Sequence, residues 1–233
     1  MRGRTLSLQY RCIIIDHDDT AVDSTATIHY PAHLEVMRQL RPGQKPISLD
    51  EWFLKNFHPG IMEYLTGELH FSEEEIEKEY EVWRAFTTTR VPHFFPGFVE
   101  ALIAYRNSGG LVAVVSHSEK ALIERDYAHY DSNKGFIPDI IFGWDYDENK
   151  RKPSLYPVHK ILKTFSLVIE DVLIVDDLKP GVLMGKAAQI PVASAGWAHD
   201  IPLIRDYMRD NCIAYFETVQ EFADFILACP ASR

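Results

Sequence analysis

Short apolar runs recur along the chain, and polar residues follow most of them. The runs are rich in β-branched residues and are continuous rather than alternating, which is typical of strands buried on both faces of a parallel sheet. The pattern predicts six such strands: RCIII (11–15), LVAVV (111–115), DIIF (139–142), VLIV (172–175), PVAS (191–194) and IAYF (213–216).

Segments with helical spacing of apolar residues alternate with these strands. A strand–helix–strand series predicts a doubly wound α/β domain, with a Rossmann-like parallel sheet between two layers of helices. The helical segments are GFVEALIAYRNSG (97–109), SEKALIERDYAHY (118–130), PVHKILKTF (157–165) and PGVLMGKAAQ (180–189).

One long region interrupts the series. Residues 24–92 show no strand pattern, whereas Pro92, Pro96 and Gly97 are typical of a linker that returns to the main domain. We therefore predict a core domain of 1–23 and 93–233 with an inserted α-helical cap of 24–92. The insert has three helical patterns: IHYPAHLEVMRQL (28–40), LDEWFLKNF (49–57) and EEEIEKEYEVWRAF (73–86).

Composition excludes several classes of protein. The formal net charge of the 233 residues is −10, which argues against charge-driven nucleic-acid binding. No apolar run approaches the roughly 20 residues needed to span a bilayer, so we expect no membrane association and a cytoplasmic location. The three scattered cysteines, Cys12, Cys212 and Cys229, do not suggest a disulfide framework, and Cys12 reads as a small core residue.

Three carboxylates crowd the end of the first predicted strand: Asp16, Asp18 and Asp19 in CIIIDHDDT. Like charges at such spacing repel unless a cation neutralises them. Mg²⁺ prefers oxygen ligands and is held by one or two carboxylates together with a substrate phosphate. The crowding therefore predicts a Mg²⁺ site beside a phosphate, in which Asp18 and either Asp176 or Asp177 hold the ion.

Polar residues follow three other strands, and in such sheets the site lies at the carboxyl ends of the strands. Ser116 follows the second strand, Lys152 lies in the loop after the third, and Asp176 and Asp177 end the fourth. A carboxylate can attack phosphorus, and a second carboxyl group can transfer the protons. Lys152 would neutralise charge, and Ser116, placed at a helix N-terminus, would hold a phosphate oxygen.

These residues resemble the motifs of the haloacid dehalogenase superfamily. DHDDTAVDS resembles its first motif, Asp-x-Asp-x-Thr, and VVSHS resembles the second, a strand that ends in Ser or Thr. KRKPSLYP is similar to the Lys-Pro motif, and LIVDDLKPG…GKAAQIP to the acidic fourth motif. The order is that of the family, and the likeness points to the branch of phosphoglycolate phosphatases and β-phosphoglucomutases, which carries a helical cap.

The resemblance implies a role for each residue. Asp16 is the nucleophile, and Asp18 is the general acid and base. Ser116, His117 and Lys152 are the phosphate-binding residues, with His117 standing where the family often has Asn, and Thr20 supports the turn. Mg²⁺ is held by Asp16, the main-chain carbonyl of Asp18, and Asp177 with its neighbour Asp176.

Two positions depart from the family pattern. Asp19 replaces the usual Gly of a tight turn, a change that Asp tolerates better than most residues. Gly181 stands where other branches place another acid, so no ligand is expected there.

Three assignments have alternatives. SHSE (116–119) is also a capping-box pattern, so Ser116 could cap a helix together with Glu119. Lys150 competes with Lys152, although Pro153 favours Lys152. Asp176 is either a metal ligand or a partner of one.

The expected activity is hydrolysis of a small phosphorylated metabolite by a Mg²⁺-dependent phosphatase, because Asp18 stands where dehalogenases have Tyr and phosphonate hydrolases Ala. One alternative is a phosphomutase that uses the same aspartyl-phosphate. Another is a catalytically silent protein that binds a phosphorylated ligand. The sequence does not predict the substrate or the oligomeric state.

Overall fold

The structure, a computed structural model, describes residues 8–130 and 136–228. It divides into two compact units. The core unit comprises the described residues of Met1–Val22 and Phe94–Arg233, and the insert unit is Asp23–His93. These boundaries differ from the predicted ones by one residue at each crossing.

A six-stranded parallel sheet forms the centre of the core unit, and the predicted α/β fold with a Rossmann-like parallel sheet is confirmed. The strands are β1 (Cys12–Ile15), β4 (Leu111–Val115), β5 (Ile140–Phe142), β6 (Val172–Asp176), β7 (Val192–Ala195) and β8 (Ala214–Phe216). Their order in the sheet is β5-β4-β1-β6-β7-β8. Two short strands, β2 (Val22–Asp23) and β3 (His93–Phe94), form a second sheet.

The register of the central strands determines where the polar residues lie. Ile15 of β1 is level with Val114 of β4 and with Val175 of β6. Because the strands are parallel, Asp16, Ser116 and Asp176 all lie at the same edge of the sheet.

Helices of the core unit pack beside this sheet, and apolar residues of β1, β4 and β6 are buried almost completely. The four predicted helices are present, and two more lie near the C-terminal end. The helices are α5 (Phe98–Asn107), α6 (Lys120–His129), α7 (Tyr156–Phe165), α8 (Lys179–Ala188), α9 (Pro202–Asn211) and α10 (Val219–Leu227).

The insert unit is helical and has an aromatic core. Val36, Trp52, Tyr64 and Phe71 are among its buried residues. Ser48 and Ser72 begin two of its helices with capping boxes. Its α-helices are α1 (Tyr30–Leu40), α2 (Leu49–Phe57), α3 (Ile61–Glu63) and α4 (Glu73–Thr89), with π-helical turns at Thr25–His29 and Tyr64–Glu68.

No helix within the described ranges combines the length and the apolar character needed to cross a membrane. Cys12 is fully buried in β1, which confirms its reading as a core residue. Cys12 and Cys212 are free thiols, and Cys229 lies outside the described residues.

Candidate active site

Asp16 is the first residue after β1, and both of its carboxylate oxygens have donors. Oδ2 lies 2.8 Å from Nζ of Lys152, and Oδ1 accepts a hydrogen bond of 2.7 Å from the main-chain N–H of His17. Its main-chain N–H donates to the carbonyl of Val175, which ties β1 to β6. The side chain is about one-tenth exposed.

Lys152 is buried between two carboxylates. Its Nζ also lies 2.9 Å from Oδ2 of Asp176, whose Oδ1 accepts a hydrogen bond from the main-chain N–H of Leu178. Burial alone would lower the pKa of Lys152, but Asp16 and Asp176 outweigh that effect and raise it. The lysine therefore stays charged and neutralises part of the acidic cluster.

The surroundings of Lys150 and Lys152 show which of the two lysines belongs to the acidic cluster. The side chain of Lys150 is 42% exposed and faces Asp145 and Asp147, outside the cluster. Only one of these two lysines therefore contacts Asp16 in the structure.

Three buried carboxylates, those of Asp16, Asp176 and Asp177, bring ligand atoms within 4.8 Å of one another. Burial is the main cause that raises the pKa values of Asp176 and Asp177, and their negative neighbours add to it. Oδ2 of Asp177 is buried and has no hydrogen-bond partner among the described residues. An unsatisfied carboxylate oxygen in a crowded acidic cluster is suited to a hard cation such as Mg²⁺.

Asp18 points to the loop after β4 instead of joining this cluster. Its Oδ2 accepts hydrogen bonds from the hydroxyl groups of Ser116, at 3.2 Å, and Ser118, at 2.6 Å. The main-chain N–H of Ser118 in turn donates to the Ser116 hydroxyl. The two predicted catalytic carboxylates, although two residues apart, therefore have different surroundings: Asp16 has a buried cation and Asp18 has neutral hydroxyls.

The predicted position of Ser116 at a helix N-terminus is wrong, and so is the alternative in which Ser116 caps the helix together with Glu119. Helix α6 begins at Lys120, four residues later, and Ser116 does not stand at its N-terminus. The N-cap residue of α6 is Glu119, and no side chain makes a capping hydrogen bond there. The chain bends at residues 117–118 before α6 begins, and the Ser116 hydroxyl donates to Asp18.

Thr20 connects the first loop to the end of β6. Its hydroxyl donates to Oδ1 of Asp177 over 3.2 Å, and its carbonyl accepts a hydrogen bond from the indole N–H of Trp197. Asp19 has a φ of +54°, so this Asp adopts the left-handed conformation that the usual Gly would adopt. The turn after β1 is therefore formed with Asp at this position.

His117 is engaged with the loop that carries the lysine. Its Nε2 lies 2.9 Å from the main-chain oxygen of Lys152, and its ring packs edge-on against Trp144. Its predicted contact with phosphate stays a prediction.

Three residues of the site were missed by the sequence reasoning. Ser118 was one of two hydroxyls in SHS, and only the first was selected. Nε2 of His199 lies 3.7 Å from Oδ2 of Asp177, and His199 follows β7. The rule that polar residues after strands form the site would have selected it. His17 stands between the two carboxylates, and nothing in the sequence shows which way its ring points.

Comparisons with known proteins identify the family of the chain. Residues 13–195 match the family model of haloacid dehalogenase-like hydrolases. A search of curated proteins finds no match.

Several solved structures share the fold. A haloacid dehalogenase-like family hydrolase from Streptococcus pneumoniae is 17% identical, with a TM-score of 0.72 over 93% of this chain and 98% of that one. A predicted phosphoglycolate phosphatase from Haemophilus somnus is 15% identical, with a TM-score of 0.71 over 93% and 96%. CbbY from Rhodobacter sphaeroides, solved in complex with phosphate, is 15% identical, with a TM-score of 0.66 over 91% and 96%.

At these identities the solved structures show the fold, and the family model covers most of the chain, including Asp16, Ser116, Lys152 and Asp177. The chain therefore belongs to the haloacid dehalogenase-like hydrolases.

Proposed function

We propose that this hydrolase is a Mg²⁺-dependent phosphatase that acts on a small phosphorylated metabolite through an aspartyl-phosphate. The observation that carries the proposal is the setting of Asp16. Its carboxylate is held by Lys152 and by the His17 N–H, and its side chain is about one-tenth exposed. A second carboxyl group lies two residues away.

In the first step a carboxylate oxygen of Asp16 attacks phosphorus. A new O–P bond forms, and the bond from phosphorus to the leaving oxygen breaks. Asp18, in its acid form, gives a proton to that oxygen so that an alcohol departs. The hydroxyls of Ser116 and Ser118 fix the direction of the Asp18 carboxyl group.

In the second step water attacks the phosphorus of the aspartyl-phosphate. The Asp18 carboxylate takes a proton from this water, and the O–P bond to Asp16 breaks to release phosphate. Asp16 returns as a carboxylate and Asp18 as an acid, so the cycle closes.

Lys152 supplies positive charge next to the nucleophile throughout, because Asp176 holds its ammonium group in place. Asp16, Asp177 and the main-chain carbonyl of Asp18 are the proposed Mg²⁺ ligands, and Asp176 is the partner of Lys152. When bound, Mg²⁺ would neutralise the crowded carboxylates and polarise a phosphoryl oxygen. The insert unit is the proposed cap, which would select among substrates.

A rapid-quench experiment tests the proposal. The protein is mixed with p-nitrophenyl phosphate or acetyl phosphate in the presence of Mg²⁺ and quenched in acid. Its intact mass is then measured by mass spectrometry. We expect one added phosphoryl group, mapped to Asp16 by peptide analysis, and no turnover in excess EDTA until Mg²⁺ is restored. A variant of an exposed carboxylate, Asp147→Asn, serves as control and should behave as the wild type. Turnover in EDTA, or a phosphoryl group on another side chain, would contradict the proposal.

A screen of sugar phosphates, phosphoglycolate and nucleoside monophosphates would then identify the substrate class. A phosphatase releases inorganic phosphate at the rate at which substrate disappears. A mutase would instead return the phosphoryl group to a hydroxyl of a second substrate molecule, without equivalent release of phosphate.

A further inference from the structure

His17 lies between the two proposed catalytic carboxylates, yet its ring is turned into the protein interior. The residue is 1% exposed, and the ring packs against Phe94 and Tyr127. Its Nε2 lies 3.1 Å from Oδ2 of Asp126, which is buried on α6. A polar contact therefore joins the loop after β1 to a helix more than a hundred residues away in sequence.

Asp126 is held by a further group. Its Oδ1 accepts hydrogen bonds from Nε of Arg125, at 2.9 Å, and from Nη2 of the same residue, at 2.7 Å. A buried carboxylate is costly unless it is paired and hydrogen-bonded, and here both oxygens have partners. Arg125, Asp126 and His17 thus form a continuous chain, which we call the Arg–Asp–His chain.

The main chain of His17 organises the loop that carries Asp16. Its N–H donates to Oδ1 of Asp16, and its carbonyl accepts hydrogen bonds from the N–H groups of Ala21, at 2.9 Å, and Val22, at 3.1 Å. The main-chain groups of one residue therefore fix both the nucleophile and the turn after it, while its side chain is anchored on α6.

We propose that the Arg–Asp–His chain positions Asp16 for attack, with His17 and Asp126 as positioning residues that do not touch substrate. The inference deepens the proposed function and rests on it. A fixed ring fixes the main chain of His17, and the N–H then holds the Asp16 carboxylate in line. Apolar residues of the same volume can often replace a buried polar contact without loss of stability, so the contact between His17 and Asp126 is suited to a geometric role.

The test uses full-length variants His17→Phe and Asp126→Leu, their double variant, and Asp126→Asn as the conservative change. Glu124→Gln, an exposed change on the same helix, is the control. With p-nitrophenyl phosphate as substrate, His17→Phe and Asp126→Leu should each lower kcat by about 10- to 100-fold. This range is typical of misplaced reacting groups and lost supporting contacts. KM should change less than about twofold, since phosphate contacts remain.

The two positions should act as a unit. The double variant should be no slower than the slower single variant, because the first substitution already breaks the chain. Asp126→Asn should recover most of the kcat, since the amide keeps the shape and a hydrogen bond. Unchanged kcat in either folded single variant, additive losses, or an equal change in KM and kcat would overturn the inference.

A second measurement does not depend on activity. Hydrogen–deuterium exchange of the peptide covering 12–22 should be faster in His17→Phe and Asp126→Leu than in the wild type, and unchanged in Glu124→Gln. Equal exchange in all of them would show that the chain does not hold the loop. A wild-type protein that forms no phosphoenzyme would overturn the proposed function, and the exchange result would still decide whether the Arg–Asp–His chain fixes the loop.

Discussion

Lys152 of the core unit and His33 of the insert unit are both buried, with exposed fractions of 4% and 2%. Lys152 lies within 3 Å of two carboxylates and keeps its charge. Among the residues that the structure describes, neither ring nitrogen of His33 has a hydrogen-bond partner, and the ring is stacked on Trp52 with 4.2 Å between centroids. Burial lowers the pKa of His33 to about 4, so this side chain is neutral at pH 7.

The contrast separates polar residues that serve packing from those that serve chemistry. A neutral imidazole between Trp52 and Tyr64 acts as another aromatic ring and needs no counter-charge. A cluster of three buried carboxylates, two of them in contact with one lysine, is unfavourable in free energy compared with apolar residues that fill the same space. We therefore expect substitutions of the buried charged residues in the core unit to lower activity. Substitution of the buried histidine in the insert unit should instead change stability.

The largest effect is expected at the two carboxylates after β1. Asp16→Asn removes the nucleophile, so turnover should be lost and no phosphoenzyme should form. Asp18→Asn keeps the nucleophile but loses the proton-transfer group, so turnover should fall by about 10²- to 10⁴-fold. With acetyl phosphate, whose leaving group needs little protonation, Asp18→Asn should accumulate phosphoenzyme. Intact mass after acid quench measures this, and phosphoryl groups found on Asp16→Asn would reverse the assignment.

Substitutions of Lys152 and Lys150 test whether loss of the buried charge lowers activity and stability more than loss of the charge outside the cluster. Lys152→Met leaves Asp16 and Asp176 without their cation, so we expect kcat to fall by about 10²- to 10³-fold and the free energy of unfolding by about 3 to 5 kcal/mol. Lys150→Met, at the partly exposed lysine two residues earlier, should keep the free energy of unfolding within about 0.5 kcal/mol of the wild type and keep full activity. Activity assays and urea denaturation of the two proteins give both quantities. Equal losses of kcat and of unfolding free energy in the two variants would contradict the prediction that the buried lysine matters more.

The insert unit should respond to acid. The pKa of His33 is about 4 in the folded state and near 6.5 when unfolded, so the unfolded state takes up the proton first. The stability is complete above pH 6.5 and decreases as the pH falls towards 4, by about 3 kcal/mol in total. His33→Phe should remove this part of the pH dependence, while the exposed His58→Gln should not. Urea denaturation of the three proteins at pH 7 and pH 4.5 measures the difference, and parallel losses in all of them would contradict the burial argument.

The smallest effect is expected at Ser118. Ser118→Ala removes one hydrogen bond to the Asp18 carboxyl group, while Ser116 keeps the other. A hydrogen bond to a charged group contributes about 1.5 to 3 kcal/mol, which sets an upper bound of about 10- to 100-fold on kcat. We expect about tenfold, because Ser116 compensates in part. Ser108→Ala, which removes a hydroxyl at the end of α5, is the control and should keep the wild-type kcat. Steady-state kinetics measures both variants, and an equal loss of kcat in the two would contradict the prediction.

The sequence predicted the sheet well because its strands are continuous apolar runs with polar ends. It did not reveal α9, which lies between β7 and β8, or α10, which follows β8; PLIRDYMRDN and VQEFADFIL are short segments that mix charged and apolar residues. Propensity and periodicity say little about such segments, because tertiary packing decides them.

The site was predicted in its residue types but not in its orientations. The rule of strand ends selected Asp16, Ser116, Lys152 and Asp177. It could not show that Asp176 faces Lys152, nor that the ring of His17 turns away to meet Asp126. Those facts depend on side-chain rotamers and on contacts between distant segments, which a pattern along one chain does not contain.

The short distance between α8 and β6 limits the variation that this protein can accept. A Cβ atom on Gly181 would lie 2.3 Å from Cγ of Asp176, so any side chain there would push the carboxylate away from Lys152. The acid that other branches carry at this position could not be grafted onto this chain by one substitution, because the helix would first have to move outward. Evolution from one arrangement of acids to the other would therefore pass through a shift of backbone, and a library randomised at Gly181 should return glycine almost alone.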